Sequence, residues 1–128
     1  RRVRAVAFSP DETRIAGGGD GNVVEIWNIA NNKRDAALPI VNGKVFSLEY
    51  CGADRIAAGD SLNRISVWDV NGGALLGSGS KTLAEGGDQW ASGHSGTIAV
   101  LLYDPQDDTV LSGSFDTTLI KWNIPKIR

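Results

Sequence analysis

The chain of 128 residues contains no methionine, one cysteine and one histidine. A single thiol, Cys51, cannot form an internal disulfide, and a single imidazole, His94, cannot help assemble a Cys/His zinc site. Proline is scarce, at 4 residues, which excludes a proline-rich linker. No apolar run approaches ~18 residues, so a transmembrane helix is excluded, and no secretory h-region opens the chain. Charge of one sign is lacking too. Lys plus Arg is 13 and Asp plus Glu is 15, for a net charge of -2. That balance gives no electrostatic case for nucleic acid or an anionic membrane. The missing methionine, absent even at position 1, points to a chain trimmed or cut from something longer.

Glycine is what the chain has in excess, at 16 residues against an average near ~7%. Hydrophobic residues make up 41% and charged residues 22%, a globular composition. The length suggests one domain able to bury roughly two-thirds of its unfolded surface. High glycine with spaced Val, Ile and Thr indicates short strands joined by tight turns. The best helical candidate, Leu83 to Gln89, contains Gly86-Gly87 and is too short.

Three copies of one pattern lie along the chain. Val3 to Phe8, Ile15 to Gly18 and Val24 to Ile29 form the first. Val45 to Tyr50, Ile56 to Gly59 and Ile65 to Val70 form the second, and Ile98 to Tyr103, Val110 to Gly113 and Leu119 to Ile124 the third. Trp27, Trp68 and Trp122 mark the phase, at a period near ~40 residues with an insertion before the third copy. Turn residues separate the runs, as in Asp11-Glu12, Asp20-Gly21-Asn22 and Asp116-Thr117, so each copy reads as antiparallel hairpins. A weaker fourth run follows in the first copy (Asp35 to Ile40) and in the second (Ala74 to Ser80). None follows in the third before Arg128.

These residues resemble the WD40 repeat of β-propellers. Trp68-Asp69 is the signature dipeptide, Trp27-Asn28 and Trp122-Asn123 are its common variant, Phe8-Ser-Pro-Asp11 looks like the turn after the first strand, and Gly93-His94 precedes the third copy. The resemblance covers residues 2 to 124. It implies an all-β fold of three four-stranded antiparallel WD40-type blades in an incomplete, open β-propeller. The blades fall at about 2–41, 43–82 and 94–128, the last without its final strand, with an insertion at 83–93. One blade cannot bury both its faces, and blades packed radially bury them against one another. The resemblance further implies a hydrogen-bonded structural tetrad in the third blade: His94, Ser112, Asp116 and Trp122. The second copy departs, with Asn42-Gly43-Lys44 for Gly-His and Leu62 where the Asp falls by counting from Trp68. In the first copy Asp20 lies one residue too far from Trp27, and in the third Lys121 replaces an apolar residue. The third blade is therefore expected to be the best tied.

Some residue groups invite chemistry. Ser112, His94 and Asp116 could be the nucleophile, base and orienter of a hydrolase. The spacing fits the structural tetrad, and no Gly-x-Ser-x-Gly turn leading into a helix accompanies it. Gly17 to Gly21 lacks the Lys-Ser/Thr and the helix of a phosphate loop. Asp104, Asp107 and Asp108 lack an EF-hand pattern and read as a solvated turn. Cys51 reads as an inert, partly buried thiol. Arg1, Arg2 and Arg4 at one end, and Lys126 and Arg128 at the other, read as solvated termini. Trp90 is the one tryptophan outside the repeats, within a glycine-rich loop that folds back on its blade or presents an anchor.

The repeat phase places candidate partner-binding residues on the loop face: Arg2, Arg4 and Asp20 in the first blade, Lys44, Phe46 and Ser61 in the second, Thr97, Ala99 and Phe115 in the third. The expected function is a non-catalytic scaffold that binds other proteins inside the cell, in the cytoplasm, with no cofactor and no metal. The alternatives are a sensor or regulatory module of a larger multidomain signalling protein and, more remotely, a hydrolase using Ser112. Three blades do not close a ring, since propellers need about four to eight. The remaining blades of a longer chain, or a second copy, are needed to cover the open faces.

Overall fold

The computed structural model describes residues 2–39, 43–79 and 94–127. Every element among them is a β-strand. The first sheet is built in chain order from β1 (Val3–Phe8), β2 (Arg14–Gly19), β3 (Val23–Asn28) and β4 (Lys33–Pro39). The second follows as β5 (Val45–Tyr50), β6 (Arg55–Asp60), β7 (Ile65–Asp69) and β8 (Leu75–Gly79). The third has β9 (Ile98–Asp104), β10 (Thr109–Ser114) and β11 (Leu119–Asn123). All pairings are antiparallel. The sheets are the blades of an open propeller, two four-stranded and one three-stranded among the described residues. The helical candidate Leu83 to Gln89, the rest of the insertion 83–93 and Trp90 lie outside the described residues, as do Arg1, Asn42 and Arg128.

Short polar side chains close the hairpins. Asp11 Oδ1 accepts from the Ser9 hydroxyl at 2.7 Å and from the Thr13 amide at 3.0 Å, which holds Glu12 at φ 61°. These bonds, the Ser9 hydroxyl first, push the Asp11 carboxyl down to about 2. Asn31 Oδ1 accepts the Lys33 amide at 3.0 Å, so β4 begins two residues before the expected run. Asp69 Oδ1 caps the next turn at the Asn71 and Gly72 amides.

Two cores lie between neighbouring blades. The first packs Ala16, Val24, Ile26 and Leu38 of blade 1 against Leu48, Tyr50, Ile56 and Trp68 of blade 2. The second packs Ala57, Ile65 and Val67 of blade 2 against Ile98, Leu101, Val110 and Trp122 of blade 3. Alternate residues of one strand thus serve different cores, which is why strands such as β6 and β7 are buried on both faces. Glycine makes the close approach possible. A Cβ on Gly18 would stand 2.9 Å from Val45, and one on Gly59 2.5 Å from Ile98. Arginine pins the rim of each joint: Arg14 donates to Asn71 Oδ1 at 3.2 Å, and Arg55 to the Pro125 carbonyl at 3.2 Å and to the Asp108 carboxylate.

Candidate functional site

The tetrad residues meet at the base of blade 3. β10 carries Ser112 and β11 carries Trp122 on the face turned to blade 2, and His94 enters from the segment before β9. Trp122 Nε1 donates to Ser112 Oγ at 2.6 Å, and His94 Nε2 lies 2.6 Å from the same oxygen. His94 Nδ1 is 3.2 Å from Asp116 Oδ2 and 3.0 Å from Thr118 Oγ1. Asp116 also accepts the amides of Ser95 and Thr118, both at 2.8 Å, and the Thr118 hydroxyl. The Thr118 hydroxyl, the Ser95 and Thr118 amides and His94 hold the Asp116 carboxyl well below the usual carboxylate range.

Ser112 is 0% exposed and His94 2%. A hydroxyl so enclosed, whose lone pair already takes the indole proton, offers no path to a substrate carbonyl. The network instead satisfies buried polar groups and ties a loop and a turn to the sheet. Thr118 is a member that the sequence reading missed; the Asp-x-Thr spacing of a side-chain-capped turn is the signal for it.

The other chemical candidates scatter. Asp108 pairs with Arg55 and accepts from Tyr103 Oη at 2.7 Å, Asp107 pairs with Lys121 at 2.9 Å, and Asp104 caps the Gln106 amide at 3.0 Å. Among the described residues no group of three or more His, Cys, Asp or Glu could hold a metal ion. Gly17–Gly21 ends β2 and turns into β3, with no helix following. Cys51 is buried in the second core, where desolvation pushes its thiol up to about 12.

On the loop face the three blades repeat one geometry. Asp20 N donates to Arg2 O, Ser61 N to Lys44 O and Phe115 N to Thr97 O, at 2.9, 2.9 and 3.0 Å. One bulge recurs in each first strand and leaves Arg4, Phe46 and Ala99 out of register. A bulge re-aims the side chain it carries. The consequence is a row of side chains across all three blades. Arg4 Nε donates to Asp20 Oδ1 at 2.6 Å, and its guanidinium lies 4.9 Å from the centroid of the Phe46 ring. Phe46 meets Phe115 edge to face, with ring centroids 6.5 Å apart. The Arg4 hydrogen bond also holds the Asp20 carboxyl below its ordinary range. Phe115 is 68% exposed, an unusual position for an aromatic ring. Lys44 and Ser61 flank the row in blade 2, joined a second time by Lys44 N to Ser61 Oγ at 2.9 Å.

Blade 2 makes its turn differently from blade 3. Leu62, at the counted Asp position, is 47% exposed. Asp60 does the capping from two residues earlier, accepting the Leu62 amide at 2.8 Å, the Arg64 amide at 3.1 Å and Arg64 Nε at 3.3 Å.

The family model for the WD domain, G-beta repeat, matches residues 1–28 and 88–123, half of the chain. The chain belongs to the WD40 repeat family. It is 27% identical over 71 residues to Protein tipD of Dictyostelium discoideum, a match covering 56% of this chain and 12% of tipD. It superposes on the crystal structure of the computationally designed Ika4 protein with a TM-score of 0.76 and 23% identity, covering 96% of this chain and 66% of that one. The chain thus spans about an eighth of the length of tipD and just under two thirds of the designed protein. WD40 repeats generally mediate contacts between proteins and are generally non-catalytic. No helix among the described residues is long and apolar enough to cross a membrane.

Proposed function

We propose that this WD40 chain is a non-catalytic scaffold that holds other proteins on its loop face, with the row Asp20–Arg4–Phe46–Phe115 as the centre of contact. The observation that carries this reading is the exposed Phe115 at the end of a row whose other members are fixed by one another. Aromatic and arginine side chains dominate interface energies, and side chains already ordered before binding lose less entropy on contact. Arg2, Lys44, Ser61, Thr97 and Ala99 form the rim. The reading includes residence inside the cell, where a lone reduced thiol such as Cys51 persists. Without a net positive charge the partner is a protein rather than nucleic acid.

The test compares wild-type chain with Phe46→Ala, Phe115→Ala and the double variant. Proteins retained by the wild type are identified, and the affinity of each purified candidate is measured by calorimetry. A hot-spot residue is worth about 2 kcal/mol or more, so each single variant should weaken binding by roughly thirty-fold. Circular dichroism should be unchanged, because Phe115 lies largely in solvent. A partner that binds the double variant as tightly as the wild type overturns the assignment of the site.

A further inference from the structure

Charge is sorted between the two ends of the strands. At one end the turns β1–β2, β5–β6 and β9–β10 hold Asp11, Glu12, Asp54, Asp104, Asp107 and Asp108. The loop face, at the other end, turns its carboxylates inward. Asp60 is 2% exposed and is taken up by the Leu62 and Arg64 amides and Arg64 Nε. Asp116 is closed in by the Ser95 and Thr118 amides, the Thr118 hydroxyl and His94. Asp20 is the third, and three cations stand about it. Arg4 Nε bonds it at 2.6 Å, and the charges of Lys44 and Arg2 lie close enough to draw its carboxyl down further.

The surplus positive charge has nothing to meet. Arg2 and Lys44 are exposed, and among the described residues neither side chain has an ion-pair partner. Their backbones are nevertheless fixed, because Arg2 O accepts the Asp20 amide and Lys44 O the Ser61 amide, both at 2.9 Å. Arg4 gives Nε to Asp20 and lies against Phe46, and among the described residues nothing accepts from its two terminal nitrogens. These donors stand beside two aromatic rings. The row measures 4.9 Å from the Arg4 guanidinium to Phe46 and 6.5 Å from Phe46 to Phe115. An extended segment rises about 3.3 Å per residue, so it covers the row in no more than about four residues.

We propose that the partner reaches this row with a short acidic segment: a large apolar residue lies against Phe115 and Phe46, and Asp or Glu side chains within about four positions of it pair with Arg4, Lys44 and Arg2. The proposal rests on the reading of the loop face as the binding face, and adds the chemistry of what binds. Three cations about one carboxylate leave two charges to be matched, so the segment carries two acidic side chains near its anchor. The rings supply most of the affinity, since exposed charge pairs are each worth little. The charges select the partner: they speed the encounter with an acidic segment and repel a basic one.

The test selects binders from a library of random peptides displayed on phage, with the 128-residue chain immobilised. Enriched peptides should carry two or more Asp or Glu within about four positions of a large apolar residue. The best are then synthesised and titrated, by fluorescence anisotropy, into wild type, Phe115→Ala, Lys44→Glu and Arg2→Glu. Lys44 and Arg2 are exposed, so their reversal should leave the circular dichroism unchanged. Each reversal should weaken binding about five- to ten-fold at low salt, and the difference should shrink toward nothing at 0.5 M sodium chloride, where screening is nearly complete. Enriched peptides that need Phe115 but are neutral or basic, or that bind both reversed variants as tightly as wild type, overturn the acidic partner and leave the binding face standing. Replacing the acidic residues of the best peptide by phosphoserine and gaining more than ten-fold would overturn the carboxylate as the group recognised. A library that yields no binder, or binders that the double variant of Phe46 and Phe115 holds as tightly, overturns the binding face itself.

Discussion

Replacing Ser112 by alanine removes one oxygen from a site that water does not reach. Ser112 and Trp122 are each 0% exposed, and His94 is 2% exposed. The lost atom accepts the Trp122 indole proton at 2.6 Å and bonds His94 Nε2 at 2.6 Å. Alanine fills nearly the same volume, so the cavity left behind is small and the cost is almost wholly polar. Loss of a buried hydrogen-bond partner costs about 1–3 kcal/mol, and two bonds to one oxygen put Ser112→Ala at roughly 2–4 kcal/mol. That is a large part of the ~5–15 kcal/mol by which a domain is usually stable. Urea unfolding followed by tryptophan fluorescence reads the change directly. The midpoint should fall while the slope stays the same, since the surface exposed on unfolding does not alter. Runs at several protein concentrations separate this effect from any contribution of association. A loss under about 0.5 kcal/mol would mean that Ser112 Oγ is not the hub of the network, and the account of how blade 3 is tied would fail.

Three further outcomes follow from the same coordinates. The depressed Asp116 carboxyl stabilises the fold fully above the unfolded value near ~3.9, and this is lost as pH falls through the lower folded value; acid unfolding of Asp116→Asn should be less steep than that of wild type, and parallel curves refute the linkage. Arg55→Ala removes charge-assisted bonds from a side chain only 13% exposed and should cost about 1–3 kcal/mol in urea unfolding, whereas Arg14→Ala, at a wetter joint, should cost under about 1 kcal/mol; equal effects refute the distinction. Gly59→Ala drives a methyl to 2.4 Å from Ser47 Oγ and 2.5 Å from Ile98, for a loss of about 1–3 kcal/mol in thermal unfolding, while Gly17→Ala, with open space at the Cβ, should leave the melting temperature unchanged or raised.

Much of the fold was legible because the repeat supplies its own alignment. The tryptophans set the phase, and the phase located the strands to within about two residues. The same phase put Asp20, Ser61 and Phe115 in equivalent turns, and each of the three amides does bond the residue opened by its own first strand. What the sequence could not show is contact across a joint. That Arg4 both pairs with Asp20 and lies over Phe46 depends on the rotation from one blade to the next. The Arg55 pin was invisible because one of its acceptors is a backbone carbonyl, Pro125 O, which any residue would supply. Asp60 was missed because counting back from Trp68 fixes a position, whereas a carboxylate can cap a five-residue turn from its first residue as well as from its third.

The three residue types of a hydrolytic triad stand here within hydrogen-bond reach of one another, and burial decides what they do. In a hydrolase the network must end at an open oxygen; in this chain it ends at the Trp122 indole, inside the sheet. Its other end reaches the surface at Asp116, the residue next to Phe115. Asp116 fixes the turn by accepting the Ser95 and Thr118 amides, while its own amide donates to Ser114 Oγ at 3.1 Å. The Phe115 amide is bonded to Thr97 O, so the backbone carrying the exposed ring is held from both sides. The equivalent turn of blade 2 is capped by Asp60, with Ala58 where Ser112 stands, and blade 1 has Gly17 there. The tetrad therefore does more than stabilise one blade: it holds the backbone of Phe115, the one large exposed aromatic among the described residues of the loop face, in a fixed place, which in the proposed binding role would lower the entropy lost on contact.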